Sequence, residues 1–567
     1  MPVIAGVSRY QVAMVALDDM VAADSDARLI DRFVDHLDIA GLGFKPPKEK
    51  GRPCYGAARL LKLYVWGYRK GVRSSRRLEE ACATNVEVMW MTDDAKPDFR
   101  TIADFRKENA DKLKGVFRAF NDRLSGRIEW GFESVDGTKI RASNSKTANF
   151  TAHKLDDRIK WGNGHVEEYM RVIERVDAMD DPGEDDLVTK SIVEDKLKEL
   201  SERMELYEGY RKLLEQSGES QISLTDADAR LMKEKNGFIV AYNPQTAVDS
   251  NTHIIRDFEM TNAPTDHGQL LPTLKGIAAS TDGVVEATAD MGYQSEEDIV
   301  ACLEEGVLPH VICGDGKDGY DLEIDYREPA AGPDPTSTRA ADLSACIHAG
   351  VVPDAYAHAI EGMRVVETRK KVVDEPARQD PRDLGTREEM EARAKEGYFV
   401  RDPKANLVIC PAGETHRQKS VKKDGKIRYA NKTACRRCPF RNQCLTGKQE
   451  WKELDFSKDE LEKACKPWHE AKGTEPDARG VTKGKYHYER RTVVRFRLKP
   501  DLAKTTLRMG LSEHPFGHIK RNAGEDHFLL RGKVKVEGEF ALMALGYNMA
   551  RARNLLGFDA LMEAMAA

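Results

Sequence analysis

What this sequence lacks narrows it before any motif is read. No run approaches the roughly 18 apolar residues that a membrane-spanning helix needs, and residues 1–18 lack a basic start, a sustained apolar core and a cleavage site. Those absences imply a cytoplasmic protein with no membrane partner. No G-x4-G-K-S/T phosphate loop is present, so nothing indicates ATP use. Positive charge is not in excess: the formal net charge of −6 excludes a uniformly basic nucleic-acid binder. Ten cysteines in 567 residues, without a secretory signal, do not suggest a disulfide scaffold.

What is there suits a soluble globular chain, with 40% hydrophobic and 32% charged residues. At 567 residues it is too long for one core, so two to four domains are expected. Its charge is segregated. Residues 416–448 and 483–535 are basic, whereas 167–228 and 374–396 are acidic. Basic blocks beside acidic ones suit a protein that binds a polyanion on one surface; ordinary solvated faces give the same pattern.

Residues 1–125 read as helical. Apolar positions at 57, 60, 61, 64, 65 and 68 have the spacing of one buried helix face, which Gly71 ends and Ser74 or Ser75 restarts. The turn between carries Arg69, Lys70, Arg73, Arg76 and Arg77, the composition of a helix-turn-helix that grips phosphate, or of a solvated basic surface. Asp98 or Thr101 opens a helix through Phe105 to Phe120. From 128 to 140 the period becomes alternating, with Asp136-Gly137 as a turn signal between two strands. Residues 165–217 hold two apolar stripes separated by Asp180-Asp181-Pro182-Gly183, which predicts a helical hairpin inserted over about 155–230. Strands follow at 237–242, 245–249 and 253–258, then a helix at 268–279. A strand at 283–290 runs into Asp290, Ser295 caps the next helix, and a fifth strand covers 307–313. That order predicts a mixed α/β sheet. Residues 325–344 and 374–385 read as exposed loops, and 537–556 as a mostly buried helix.

Asp136 and Asp290 each close a strand-like run, and Glu513 opens an amphipathic segment with Lys520 seven residues on. Carboxylates are hard oxygen ligands suited to Mg²⁺ or Mn²⁺, and three of them around two metals support phosphodiester chemistry. Each acid alone reads equally as a cap or turn residue. Taken in order, a set of motifs goes further: Gly71-Val72-Arg73-Ser74-Ser75-Arg76-Arg77-Leu78-Glu79, Lys96-Pro97-Asp98-Phe99-Arg100-Thr101, Val135-Asp136-Gly137-Thr138-Lys139, Tyr242-Asn243-Pro244-Gln245-Thr246, Ala289-Asp290-Met291-Gly292-Tyr293, Glu513-His514-Pro515-Phe516-Gly517-His518-Ile519-Lys520-Arg521 and His527-Phe528-Leu529-Leu530-Arg531-Gly532. With these the chain resembles the DDE transposases of bacterial insertion sequences, in the subgroup with an N-terminal helical domain ahead of an RNase H-like catalytic domain.

The resemblance implies that Asp136, Asp290 and Glu513 form the metal-binding triad for Mg²⁺ or Mn²⁺, and that Lys520 contacts substrate DNA, with Arg521 beside it. Pro515 fits the first turn of a helix opened by this motif. Met291 stands where related sequences usually carry a basic residue, and the arginine expected four residues before Glu513 is Met509, with Arg508 one place off. The implied plan is an α/β, multidomain chain. It has a helical DNA-binding domain (1–125), an RNase H-like core (126–320), an insertion with a cysteine cluster (321–490) and a completion of the core with C-terminal helices (491–567). The implied partners are terminal inverted repeats and target DNA as double strands, with a homodimer or larger synaptic complex to join two ends. A catalytically silent DNA-binding regulator and an RNase H-like nuclease without strand transfer are the alternatives.

Cys410, Cys435, Cys438 and Cys444 are grouped, with a C-x2-C pair among them. Four thiolates can hold a tetrahedral structural zinc; otherwise they are reduced cysteines packing a small knot. Arg436 and Arg437, next to them, either touch DNA phosphates or are solvated. Trp451 and Trp468 either stack on an unpaired base or fill a core.

Overall fold

In the computed structural model, which describes residues 14–46, 54–144, 148–179, 183–217, 221–234, 237–314, 317–329, 332–373, 386–403, 405–422, 425–445, 449–457, 460–473 and 486–566, the strand-like runs come together in one sheet. Its core strands are β1 (Glu133–Gly137), β2 (Gly237–Asp249), β3 (Ile255–Thr261), β4 (Val285–Ala289) and β5 (Val307–Val311). Their spatial order is β3-β2-β1-β4-β5; β2 is antiparallel to β1 and β3, and β1, β4 and β5 are parallel. Parallel neighbours need crossovers, and α1 (Leu270–Ser280) before β4 and α2 (Glu296–Glu304) before β5 supply helices for them. This is the RNase H-like sheet that the resemblance implies. Two short strands, Ile140–Arg141 and Arg230–Glu234, extend it along β2.

Several local expectations change. Asp136-Gly137 is not a hairpin turn: β1 and the strand Ile140–Arg141 both pair with β2, one after the other. The two strands expected at 237–249 are one. Pro244 is tolerated inside it because the β1 ladder ends at Gly137↔Gln245, and the Pro244 carbonyl still accepts from Thr138 N. The helix expected from Asp98 to Phe120 breaks at Asn109 into Phe99–Glu108, capped by Asp98, and Ala110–Leu124. The stretch 325–344 contains the start of a helix, Ala340–Ala349, closed by Gly350 in the left-handed region. The hairpin forms as Ala152–Asp177 and Glu184–Ser217; residues 180–182 of its turn, and the loop 374–385, lie outside the described residues.

Alternation along the strands divides the sheet's faces. Val135, Ala247, Ala287 and Ala289 point into an apolar core with Leu270, Leu274 and Ile277 of α1 and Ile299, Cys302 and Leu303 of α2. The opposite face carries Ser134, Thr246, Thr288 and His310, all buried. It is crossed by α3 (Leu502–Gly517), whose Ser512 Oγ lies 2.9 Å from Ser134 Oγ and whose N-cap residue Asp501 donates its N–H to His310 Nδ1. Toward β3 the same face is apolar: Phe258 packs edge-on against Phe540 of α4 (Lys533–Leu556) and against Phe117.

Phe117 belongs to the N-terminal helices. These share one core with α4, so residues 14–125 are not a separate globule. The chain divides instead into a unit formed by residues 1–365 and 494–567 and a second unit of 366–493, later and shorter than the insertion expected at 321–490. In the first unit, Leu322, Ile324, Ile360, Val494 and Phe496 join the core under the sheet. The second unit is built on a six-stranded antiparallel sheet with Phe399, Val408, Tyr429, Leu454, Phe456 and Trp468 as its core. No described helix is long and apolar enough to cross a membrane.

The approach of α4 to Ala110–Leu124 rests on Gly538, where an added Cβ would sit 2.2 Å from the Ala110 carbonyl oxygen. Inside an open helix Gly→Ala stabilises by about 1 kcal/mol. Here the sign should reverse, with Gly538→Ala losing roughly 1–3 kcal/mol through overpacking, read as a lower thermal midpoint by circular dichroism. An unchanged or raised midpoint would contradict this packing.

Candidate active site

The register of β1 on β4 pairs Glu133 with Ala287 and Ser134 with Thr288. Continuing the same offset puts Asp136, at the end of β1, level with Asp290, which follows β4. Asp136 takes the N–H of Gly137 on Oδ1 (2.8 Å) and Arg508 Nη1 of α3 on Oδ2 (3.2 Å). Asp290 caps a short 3-10 turn, Met291–Tyr293, by accepting the Gly292 N–H on Oδ1 (2.8 Å). A third acid, Asp266, stands beside them from the loop between β3 and α1. Its Oδ1 accepts from Asn243 Nδ2 (2.9 Å) and Gln245 Nε2 (2.7 Å), and the Tyr293 hydroxyl donates to Gln245 Oε1.

Like charges crowded in a low-dielectric cleft resist ionisation. Burial, together with the charges of Asp290 and Asp266, pushes Asp136 up to about 6, against the opposing pull of Arg508 and the Gly137 N–H. Tyr293, buried among Asp266, Asp136 and Asp290, is held well above the usual phenol value, chiefly by burial.

Glu513 has no described bond to this cluster. Successive residues of a helix are 100° apart; Ser512 faces Ser134, and Glu513 is turned to solvent with no described bond to Asp136 or Asp290. The helix begins at Leu502 rather than near Ser512, so Pro515 lies in its last turns, just before a π-helical turn, His518–Asn522. Lys520 in that turn donates to the Lys139 carbonyl (2.7 Å), beside the end of β1, while Arg521 is exposed. Among the described residues no three His, Cys, Asp or Glu side chains stand close enough to hold one ion. The donors at the strand ends nonetheless suit a hard divalent cation: they are all carboxylate oxygens, and their approach is kept open by Gly137 and Gly292.

Arg508 and Asp266 are what reading the sequence for strand-end acids misses. Asp266 looks locally like a residue ahead of a helix, and only the pairing of β3 with β2, whose Asn243 and Gln245 hold its carboxylate, brings it to the end of β1. Of the basic turn, Arg76 lies over the Phe99 ring and is exposed, as is Arg77. Arg73 is buried, with its terminal nitrogens on the carbonyls of His527 and Gly524, so the phosphate contact expected of it gives way to an internal tie.

In the second unit, Cys410, Cys435, Cys438 and Cys444 line one cavity of about 20 Å³, room for an ion or a water. Every cysteine is a free thiol. Burial pushes Cys410 up to about 11. Cys465, which was not grouped with them, places its Sγ 3.8 Å from Cys444 Sγ, and that contact lowers Cys465 while raising Cys444. The four thiols line one space without standing close enough together, among the described residues, to hold one ion. Arg436 and Arg437 are exposed on the adjoining helix Lys432–Arg437. Trp468 is core; Trp451 is half-buried under the Lys432 ammonium (4.0 Å).

Because the folded protein holds the Asp136 proton more tightly than the unfolded chain, the stability this contributes is complete below about pH 4. It is lost as pH rises through 6. In chelator-treated protein, Asp136→Asn should therefore leave the thermal midpoint nearly unchanged at pH 4 and raise it progressively to pH 7, on the order of 2–3 kcal/mol. A difference independent of pH would contradict the crowding.

Two family models match the sequence: Transposase domain (DUF772) over residues 15–108 and Transposase DDE domain over residues 409–553. The first covers most of the N-terminal helices; the second covers the cysteine group, Glu513 and Lys520, and neither reaches Asp136 or Asp290. No curated protein matches the chain. The mixed α/β fold and these two matches together support a DDE transposase of the insertion-sequence kind.

Proposed function

We propose that the protein cuts DNA at the ends of its element and joins those ends to target DNA, using divalent cations at the C-terminal ends of β1 and β4. The observation that carries this reading is the level placement of Asp136 and Asp290 on adjacent parallel strands. Asp136 and Asp290 would hold Mg²⁺ or Mn²⁺, with Glu513 on α3 as the third acid. When bound, the cations supply Lewis acidity at the scissile phosphate and offset charge on the leaving 3′-oxygen.

The chain's own residues do the rest. Asp136 and Asp290 are each anchored by a backbone N–H, and Asp136 also by Arg508. Lys520 fixes the edge of the cleft and, with exposed Arg521, Arg76 and Arg77, presents cations to phosphates. Arg436 and Arg437 add positive charge in the second unit. In the cut, water oxygen bonds to phosphorus and the P–O3′ bond breaks, releasing a 3′-hydroxyl. In the joining step that hydroxyl bonds to a target phosphorus as the target's own 3′-oxygen leaves. Joining two ends requires at least a dimer. The reaction takes place on cytoplasmic DNA, and Cys410, Cys435, Cys438 and Cys444 hold a structural zinc.

One observation favours a second reading. Glu513 faces solvent, which suits a DNA-binding regulator that retains the fold without the chemistry. With duplex DNA carrying the element's end, Asp290→Asn should lower Mn²⁺-dependent cleavage by at least a hundredfold while leaving DNA affinity unchanged. Undiminished cleavage removes Asp290 from the site, and a wild type that binds but never cuts favours the regulator. A pre-cleaved end that is not joined to target DNA points to a nuclease. Purified protein should carry about one zinc per chain by atomic absorption, and Cys438→Ser should lose it with a lower thermal midpoint; metal-free wild-type protein would refute the zinc assignment.

A further inference from the structure

We infer that Cys444 and Cys465 of the second unit are a modification site, which a peroxide oxidises to a single disulfide. Their Sγ atoms lie 3.8 Å apart, in contact but unbonded, and both thiols are free. They stand 21 positions apart in the chain, so folding and not adjacency makes the contact. Cys444 ends the helix Arg441–Cys444, and Cys465 is the N-cap residue of the helix Lys466–Lys472. A disulfide brings its sulfurs to about 2 Å. Because each cysteine stands at a helix end rather than inside a helix, side-chain rotation and a small shift of two chain ends close that gap.

The pair lies between two spaces. Cys444 lines the small cavity that Cys410, Cys435 and Cys438 share, whereas Cys465 lines a separate, open cleft of about 580 Å³. Phe399 and Lys452 belong to both linings, and Lys452 Nζ donates to the Cys444 carbonyl (3.3 Å). Cys444 is half-buried and Cys465 is buried at the wall of the cleft, so the oxidant that fits is one as small as hydrogen peroxide. Cys465 Sγ attacks a peroxide oxygen: an S–O bond forms, the O–O bond breaks, and the departing hydroxide leaves as water with the thiol proton. Cys444 Sγ then attacks Cys465 Sγ, forming the S–S bond as the S–O bond breaks, and the second hydroxide takes the Cys444 proton. Two thiols lose two electrons, and the peroxide becomes two waters. The product takes Cys444 from the four thiols proposed to hold zinc, so a zinc held by Cys444 and this disulfide exclude one another.

The test is tryptic mass mapping of the full wild-type chain, with and without prior chelator treatment, after hydrogen peroxide and alkylation of the remaining thiols. Trypsin releases Cys444 within residues 442–448 and Cys465 within residues 464–472. Their disulfide therefore appears as one cross-linked peptide, lighter by two hydrogens than the two thiol peptides together and split by a reducing agent. In chelator-treated protein, peroxide should raise this peptide about tenfold or more over the untreated level, and Cys465→Ser should leave the Cys444 peptide without a partner. A cross-link that forms only after chelation supports the inference and a metal on Cys444 alike; one that forms in both samples supports the inference and removes Cys444 from the zinc. Both peptides alkylated as free thiols after peroxide, or Cys444 joined to a cysteine other than Cys465, overturns the inference and leaves the zinc to its own measurement.

Discussion

The parallel pairing of β1 with β4 is the constraint on which the rest depends. A parallel neighbour cannot be reached by a tight turn, so the chain must leave β1, build β2 and β3 on its other side and return through α1. That detour brings Asp136 and Asp290 side by side although 153 residues separate them in the chain. It also carries the loop after β3 over the end of β2, where Asn243 and Gln245 receive Asp266. A one-residue slip between β1 and β4 would turn one acid to the apolar face under α1 and α2.

Assembling acids this way costs stability, and the surroundings answer the cost with donors rather than with distance. Arg508, the backbone N–H groups of Gly137 and Gly292, and the two amides of β2 each bind one of the carboxylates. The same face of the sheet is polar under α3, where a central sheet face is ordinarily apolar; Ser134, Thr288 and His310 are buried there, and Glu286 pairs with both His310 and Lys504. That polar seam fixes where α3 crosses, and so which of its residues face the acids. Toward β3 the seam gives way to phenylalanines, and the N-terminal helices and α4 close over them. The Arg106–Tyr68–Glu539 and Arg73–Glu539 contacts lie buried within that closure, which links the two ends of the chain into one core.

The second unit interrupts this core between β5 and α3, yet folds around its own sheet and its own aromatic centre. Separate cores explain how a long insertion can sit ahead of a helix whose placement matters so closely.

Much of this was legible in the sequence. Period and caps identified a helix across 57–68, helix through 98–120 without its break at Asn109, the hairpin, and strand in each of the five core stretches, though 237–249 read as two strands and Asp136-Gly137 as a turn, because those signals lie within a few residues. Composition excluded a membrane span and a nucleotide-binding loop. Tertiary structure alone decided which acids meet. Asp266 reaches the end of β2 because β3 pairs with β2, whose Asn243 and Gln245 hold its carboxylate; Ser512 takes the sheet contact while Glu513, 100° around the helix, is exposed; and Arg73 is drawn inward by carbonyls more than 450 residues later. Local sequence sets which residues can be ligands. Strand order and helix rotation, fixed by long-range packing, set which of them share a site.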